Sequence, residues 1–89
     1  MKITVVLTPW FTEVTGVDQQ VVELSEGACI EELMQILIRD FGTAFERLIV
    51  GPSRLSGMII LRNGGITERM SEKLADGDTI SFIVPLSGG

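Results

Sequence analysis

Polar and apolar residues alternate from Lys2 to Thr8, with Ile3, Val5 and Leu7 on one face and Thr4, Val6 and Thr8 on the other. Successive side chains of an extended chain point to opposite sides, so this alternation and its β-branched enrichment predict a strand. Pro9 ends it. Residues Pro9 to Val17 read as a loop closing on Thr15-Gly16, and Asp18 to Ser25 as a second strand with Val22 and Leu24 on one side. An antiparallel hairpin with a wide turn is the simplest connection. The period then changes. Ile30, Leu33, Met34, Leu37, Ile38 and Phe41 follow the i, i+3, i+4, i+7 spacing of one helical stripe. Glu31 and Glu32 in the first turn and Arg39 near the last suit the helix dipole, and Gly42 is placed to stop the helix in a left-handed cap.

Downstream, Phe45, Leu48 and Ile49 predict a short helical turn, and Gly51-Pro52-Ser53 a loop. Met58 to Arg62 predicts a third strand that ends at Asn63-Gly64-Gly65, a strong turn signal. A short fourth strand and a helical turn fit between Ile66 and Leu74. Asp76-Gly77-Asp78 turns the chain into a last strand, Thr79 to Val84, with Ile80, Phe82 and Val84 facing inward. The first and last strands are the most uniformly apolar and belong at the centre of a sheet. The class is therefore α+β: a mixed sheet of four to five strands with one main helix across one face, which is the β-grasp architecture. Residues 1–84 form the domain, and 85–89 form a separate flexible tail.

Composition narrows the function. A chain of 89 residues with 45% hydrophobic content fills one core, and its formal charge of −5 repels phosphate backbones. No apolar run reaches the roughly 18–20 residues of a membrane span, and the N-terminus lacks the order of a signal peptide. With a single cysteine, Cys29, no internal disulfide can form, and the expected location is the cytoplasm. The absence of histidine excludes a Cys-His pair and ordinary zinc sites. Cys29 reads as an inert small residue and a poor helix cap. Asp76 and Asp78 are explained by turn chemistry without a metal.

The tail reads Pro85-Leu86-Ser87-Gly88-Gly89. Proline cannot donate a ladder hydrogen bond and so ends the strand. Five extended residues reach roughly 15–18 Å. Two glycines without Cβ atoms pass a narrow channel that larger residues would block. Trp10 and Phe11, in their predicted loop, either anchor a partner or fold back on the domain edge. A sheet with one helix leaves one face uncovered, and Met58, Ile60 and Ile83 are expected to dock a partner protein there. The alternative cover is the 43–56 segment or a second copy of the chain.

Asp76-Gly77-Asp78, an apolar strand and then the Pro-x-Ser-Gly-Gly end at 85–89 resemble the C-terminal signature of the molybdopterin synthase small subunit. Glu13-Val14-Thr15-Gly16, Gly27-Ala28 and Asn63-Gly64 are similar to that family upstream, so the resemblance spans nearly the whole chain. The thiazole-synthesis sulfur carrier and ubiquitin-like modifiers share the fold and the Gly-Gly end. The resemblance implies a sulfur carrier rather than an enzyme. An activating enzyme of the ubiquitin-activating kind, using ATP and magnesium, would adenylate Gly89. A sulfur donor would then convert it to a thiocarboxylate. Gly88 would give clearance, Pro85, Leu86 and Ser87 would line the entry, and the molybdopterin synthase large subunit would accept the sulfur. No cofactor would be bound by the carrier itself.

Overall fold

A computed structural model describes residues 1–51, 58–67 and 69–84 of the chain. The elements run β1 (Lys2–Leu7), α1 (Pro9–Thr15), β2 (Gln19–Glu23), α2 (Ile30–Phe41), α3 (Thr43–Ile49), β3 (Ile59–Arg62), β4 (Gly65–Thr67) and β5 (Thr79–Ile83). They form one five-stranded mixed sheet in the order β2-β1-β5-β3-β4. The first and last strands pair in parallel, Thr4 beside Thr79 through Leu7 beside Phe82, and every other pairing is antiparallel. The two most apolar strands are thus neighbours, with β5 at the centre of the sheet, as expected.

One face of the sheet carries the core. Ile3, Val5, Leu7, Val22, Ile60, Ile80 and Phe82 meet Ile30, Leu33 and Leu37 of α2, all buried. Met34, Ile38 and Phe41, the rest of the predicted stripe, pack against that core but stay half-buried. Four phenylalanines extend it. Phe45 lies 5.9 Å from Phe11, 5.5 Å from Phe41 and 6.1 Å from Phe82, ring centroid to centroid, and Phe11 lies 6.0 Å from Phe82. Tilted and edge-on pairs at these distances suit the aromatic quadrupole.

Two expectations need correction here. Pro9 to Thr15 is a helix rather than a loop. Proline at its first position is pre-set for helical φ, and Gly16 closes it in the left-handed region at φ 76°, donating to the Thr12 carbonyl at 2.8 Å. The helix turns Phe11 into the core at 0% exposure, so Phe11 is not a docking residue. Gly42 does stop α2, but at φ 88°, ψ −169°, a region open essentially to glycine alone, and not in a left-handed cap. That conformation lets α3 begin at the next residue.

The end of the sheet where β5 begins is closed by polar groups. Asn63 and Gly64, both at positive φ, form the two-residue connection of a β3–β4 hairpin. The Asn63 amide donates to Asp78 Oδ1 at 2.9 Å, and its oxygen accepts from the Thr79 N–H at 2.9 Å. Asp78 Oδ2 accepts from Arg62 Nε at 2.9 Å and from the Ala75 N–H at 2.8 Å, and Arg62 Nη1 donates to Glu72 at 2.9 Å. Asp76 Oδ1 accepts from the Lys2 N–H at 2.6 Å. Both aspartates are thus occupied by turn and sheet hydrogen bonds. Among the described residues, no group of three or more His, Cys, Asp or Glu side chains is placed to hold a metal ion.

The hydrogen bond from Arg62 holds the Glu72 carboxyl below its ordinary range. Burial pushes Asp78 upward, but the Ala75 N–H, the Asn63 amide and Arg62 together outweigh it and leave its pKa lowered. A carboxyl with a lowered folded-state pKa adds stability that is fully present above its unfolded pKa. That stability is lost as pH falls through the folded value. Asp78→Asn should therefore lower the urea midpoint near neutrality and flatten its decline between about pH 5 and about pH 2, measured against the parent chain. Phe11→Ala and Phe82→Ala should each cost about 3–5 kcal/mol in denaturant titrations. Trp10→Ala, at an exposed site, should stay within about 0.5 kcal/mol.

Candidate functional site

Val84, the last described residue, directly follows the central strand. Val84 packs against the core, and Ile83 lies beside Ile59 of β3. Pro85, Leu86, Ser87, Gly88 and Gly89, the predicted tail, lie outside the described residues. What the structure supplies is the surface beside Val84.

That surface is the sheet face without helices. Strand alternation and register place Thr4 and Val6 of β1, Gln19 and Val21 of β2, Ile59 and Leu61 of β3, Ile66 of β4, and Thr79, Ser81 and Ile83 of β5 on it. One row crosses all five strands: Gln19, Val6, Ser81, Leu61 and Ile66. Ile66 is 65% exposed and Val21 55%. The only charged strand residues on this face, Lys2 and Glu23, stand opposite each other in the register. A nearly uncharged apolar face on a chain of net charge −5 is a surface suited to contact with another protein.

The predicted docking residues divide. Ile83 lies on this face, half-buried. Trp10 is exposed at 51%, on the first turn of α1 directly after β1. Met58 and Ile60 are instead buried, at 6% and 5%, on the helix side. The facing of β3 is one residue out of step with the expectation. Met58 to Leu61 is apolar throughout, so its pattern marks no parity, and a one-residue slip exchanges the faces. Arg62 shares the parity of Ile60 yet sits where the sheet ends, so it reaches Asp78 and Glu72 rather than the core. The sequence reading therefore missed Ile59, Leu61 and Ile66. The register through Ile83, which it did place outward, would have found the first two.

Cys29 precedes α2, with its backbone N–H donating to Glu32 Oε1 at 3.4 Å and its thiol 3.7 Å from the same oxygen. The carboxylate supplies the cap that the sulfur supplies poorly, in keeping with a structural residue.

The model of the ThiS family matches residues 5–89, nearly the full length and including the final two glycines. The chain belongs to the ThiS family. No curated protein matches it significantly. Among solved structures, small archaeal modifier protein SAMP1 of Haloferax volcanii is 24% identical, with each chain covered over 100% and a TM-score of 0.85. A putative molybdopterin converting factor subunit 1 of Pyrococcus furiosus is also 24% identical, with 97% of this chain and 99% of that one covered and a TM-score of 0.75. Urm1 of Trypanosoma brucei is 22% identical over 99% and 95%, with a TM-score of 0.74. At these identities the likeness establishes a shared fold, the ubiquitin-like β-grasp.

The facing of the β3–β4 hairpin in this ThiS-family chain, in which Ile66 shares a face with Leu61, is directly testable. Ile60→Ala should cost about 2–5 kcal/mol, as a buried aliphatic does. Ile66→Ala should change stability by no more than about 0.5 kcal/mol. Equal costs in urea titrations would contradict the assignment, and a larger cost at Ile66 would reverse it.

Proposed function

We propose that this chain is a sulfur carrier whose reactive group is the C-terminal carboxyl of Gly89. The observation that carries the reading is the family match, which runs through Gly88 and Gly89 to the last residue. Supporting it, the apolar sheet face ends with Ile59 and Ile83 beside the point where the tail begins. A partner that received the tail would have a surface to grip.

A free carboxylate, ionised at neutral pH, is a poor acyl electrophile. A partner activating enzyme therefore transfers AMP from ATP to the Gly89 carboxylate, with magnesium, releasing pyrophosphate. A donor that delivers sulfur at the oxidation level of sulfide attacks the acyl-adenylate, the acyl–oxygen bond breaks, AMP leaves, and a thiocarboxylate remains. Its nucleophilic sulfur is then delivered to an accepting enzyme. The acceptor we favour is a molybdopterin synthase large subunit, because the tail and upstream motifs resemble the small subunit of that synthase. A solved complex of subunits 1 and 2 of the molybdopterin-converting factor of Helicobacter pylori shows the same fold beside a partner subunit, at 23% identity and a TM-score of 0.65. Delivery to thiamine, cysteine or tRNA thiolation uses the same chemistry. In this scheme the chain is a cosubstrate with no catalytic residue of its own, and it works in the cytoplasm. Gly88 clears the channel, Pro85, Leu86 and Ser87 line it, and Trp10 and Ile83 contact the partner.

A second reading has its own support. The fold likeness to a protein named a small archaeal modifier, at a TM-score of 0.85, favours a ubiquitin-like modifier that forms isopeptides with lysines. Intact-mass analysis of the chain recovered from its native cells separates the two. A carrier gains the mass of one sulfur in place of one oxygen, whereas a modifier appears as higher-mass lysine conjugates. Deleting Gly89 should abolish either product while shifting the melting midpoint by no more than about 2 °C. An unmodified full-length chain as the sole species, or product formation without Gly89, would refute the proposal.

A further inference from the structure

The chain holds few groups that an activated acyl carbon would meet as strong nucleophiles. It has no histidine, one thiol at Cys29 and two lysines, Lys2 and Lys73, besides the amine of Met1. The other five of its seven cations are arginines, whose guanidinium stays protonated and offers no lone pair. Serine and threonine hydroxyls are weak nucleophiles without an adjacent base.

These four groups stand at one pole of the molecule. β1 and β5 run in parallel and begin at the same end of the sheet, and Lys2 lies two residues before Thr4, the partner of Thr79. At that end the Met1 amine donates to the Leu24 carbonyl at 2.8 Å. The segment from Lys73 to Gly77 ties the others to it. Lys73 bridges to Cys29, the Leu74 N–H donates to the Ala28 carbonyl at 2.9 Å, and the Gly77 N–H donates to the Lys2 carbonyl at 2.9 Å. Cys29 also precedes α2, whose other end, about 18 Å away, carries Phe41 to Phe45 and so to Phe82. Val84 lies at that opposite pole. It is five residues beyond Thr79, so about seven strand rises, roughly 23 Å, separate its level from that of Lys2. Five tail residues span at most roughly 15–18 Å. Capture of Gly89 by Lys2 thus requires the tail and the lysine side chain both drawn out straight along the sheet, an arrangement of low effective concentration. Residues 8–18, which leave β1 beside Phe82 and return where the Asp18 carbonyl accepts from the Leu7 N–H at 2.9 Å, contain no lysine and no cysteine.

We infer that the fold segregates every amine and thiol of the chain from its own C-terminus, so that an activated Gly89 reacts only with nucleophiles brought by other molecules. The acyl transfer that this suppresses would join a nitrogen or sulfur of the chain to the Gly89 carbonyl carbon, expel AMP or a thiolate, and release the nucleophile's proton to water. The use of such segregation rests on the reading of Gly89 as the reactive end, whereas the segregation itself rests on the register of β1 with β5.

The test uses the full chain prepared by intein cleavage as a Gly89 thioester. No activating enzyme is needed, so the outcome is independent of whether cells activate Gly89. Dilute in mildly alkaline buffer, the parent thioester should hydrolyse to the acid without forming a lactam, which intact mass would show as the acid less one water. Glu13→Lys places an amine at an exposed position of α1, at the pole of Val84, and should form the lactam at least about ten-fold faster than the parent. Lys2→Arg combined with Lys73→Arg should leave the parent's rate of thioester loss unchanged. A parent lactam mapped to Met1, Lys2 or Lys73 at a rate near that of Glu13→Lys would overturn the assignment, as would a parent thioester transferred to Cys29. Absence of the lactam from Glu13→Lys would overturn it as well, since amine position would then not govern capture.

Discussion

The parallel pairing of β1 with β5 is the constraint on which the structure depends. It joins the two ends of the sequence at the middle of the sheet, Thr4 to Leu7 beside Thr79 to Phe82. Parallel pairs need both strands shielded and a long crossover between them. Here almost the entire chain serves as that crossover. Ile3, Val5, Leu7, Ile80 and Phe82 line the buried face of the pair, and the helices gather over them. β2 and β3 then pair with its outer sides, and β4 completes the edge.

The C-terminal segment consequently continues from the most firmly held strand and not from an edge. Phe82 is fixed by aromatic contacts to Phe11 and Phe45, two residues before the domain's last described position. At the other end of the same strand, Asp78, Arg62, Asn63 and Glu72 close the sheet with hydrogen bonds. The orientation of Ile59 and Ile83, side by side at the Val84 end of the sheet, is set by the β3–β5 pairing.

The three helices all lie on one face, so the other keeps aliphatic side chains among uncharged polar ones, with almost no charge. The same crowding leaves α2 with more apolar residues than the sheet can cover. Ile30, Leu33 and Leu37 are spent on the core, while Met34 and Ile38 stay half-buried at its margin.

Much of this was legible in the chain itself. Periodicity placed β1, β2, α2 and β5, and Asn63-Gly64 marked the hairpin, because each is a local signal that a single element suffices to express. The facing of β3 and the fate of Phe11 were not legible. Met58-Ile59-Ile60-Leu61 is apolar at every position, so only pairing with β5 decides which residues are covered. A seven-residue segment such as Pro9–Thr15 is too short to be stable as a helix alone and forms because Phe11 finds Phe45 and Phe82. What the linear order determined was most of the elements. Tertiary packing alone decided which apolar residues remain available to partners, since that depends on neighbours far apart in the chain.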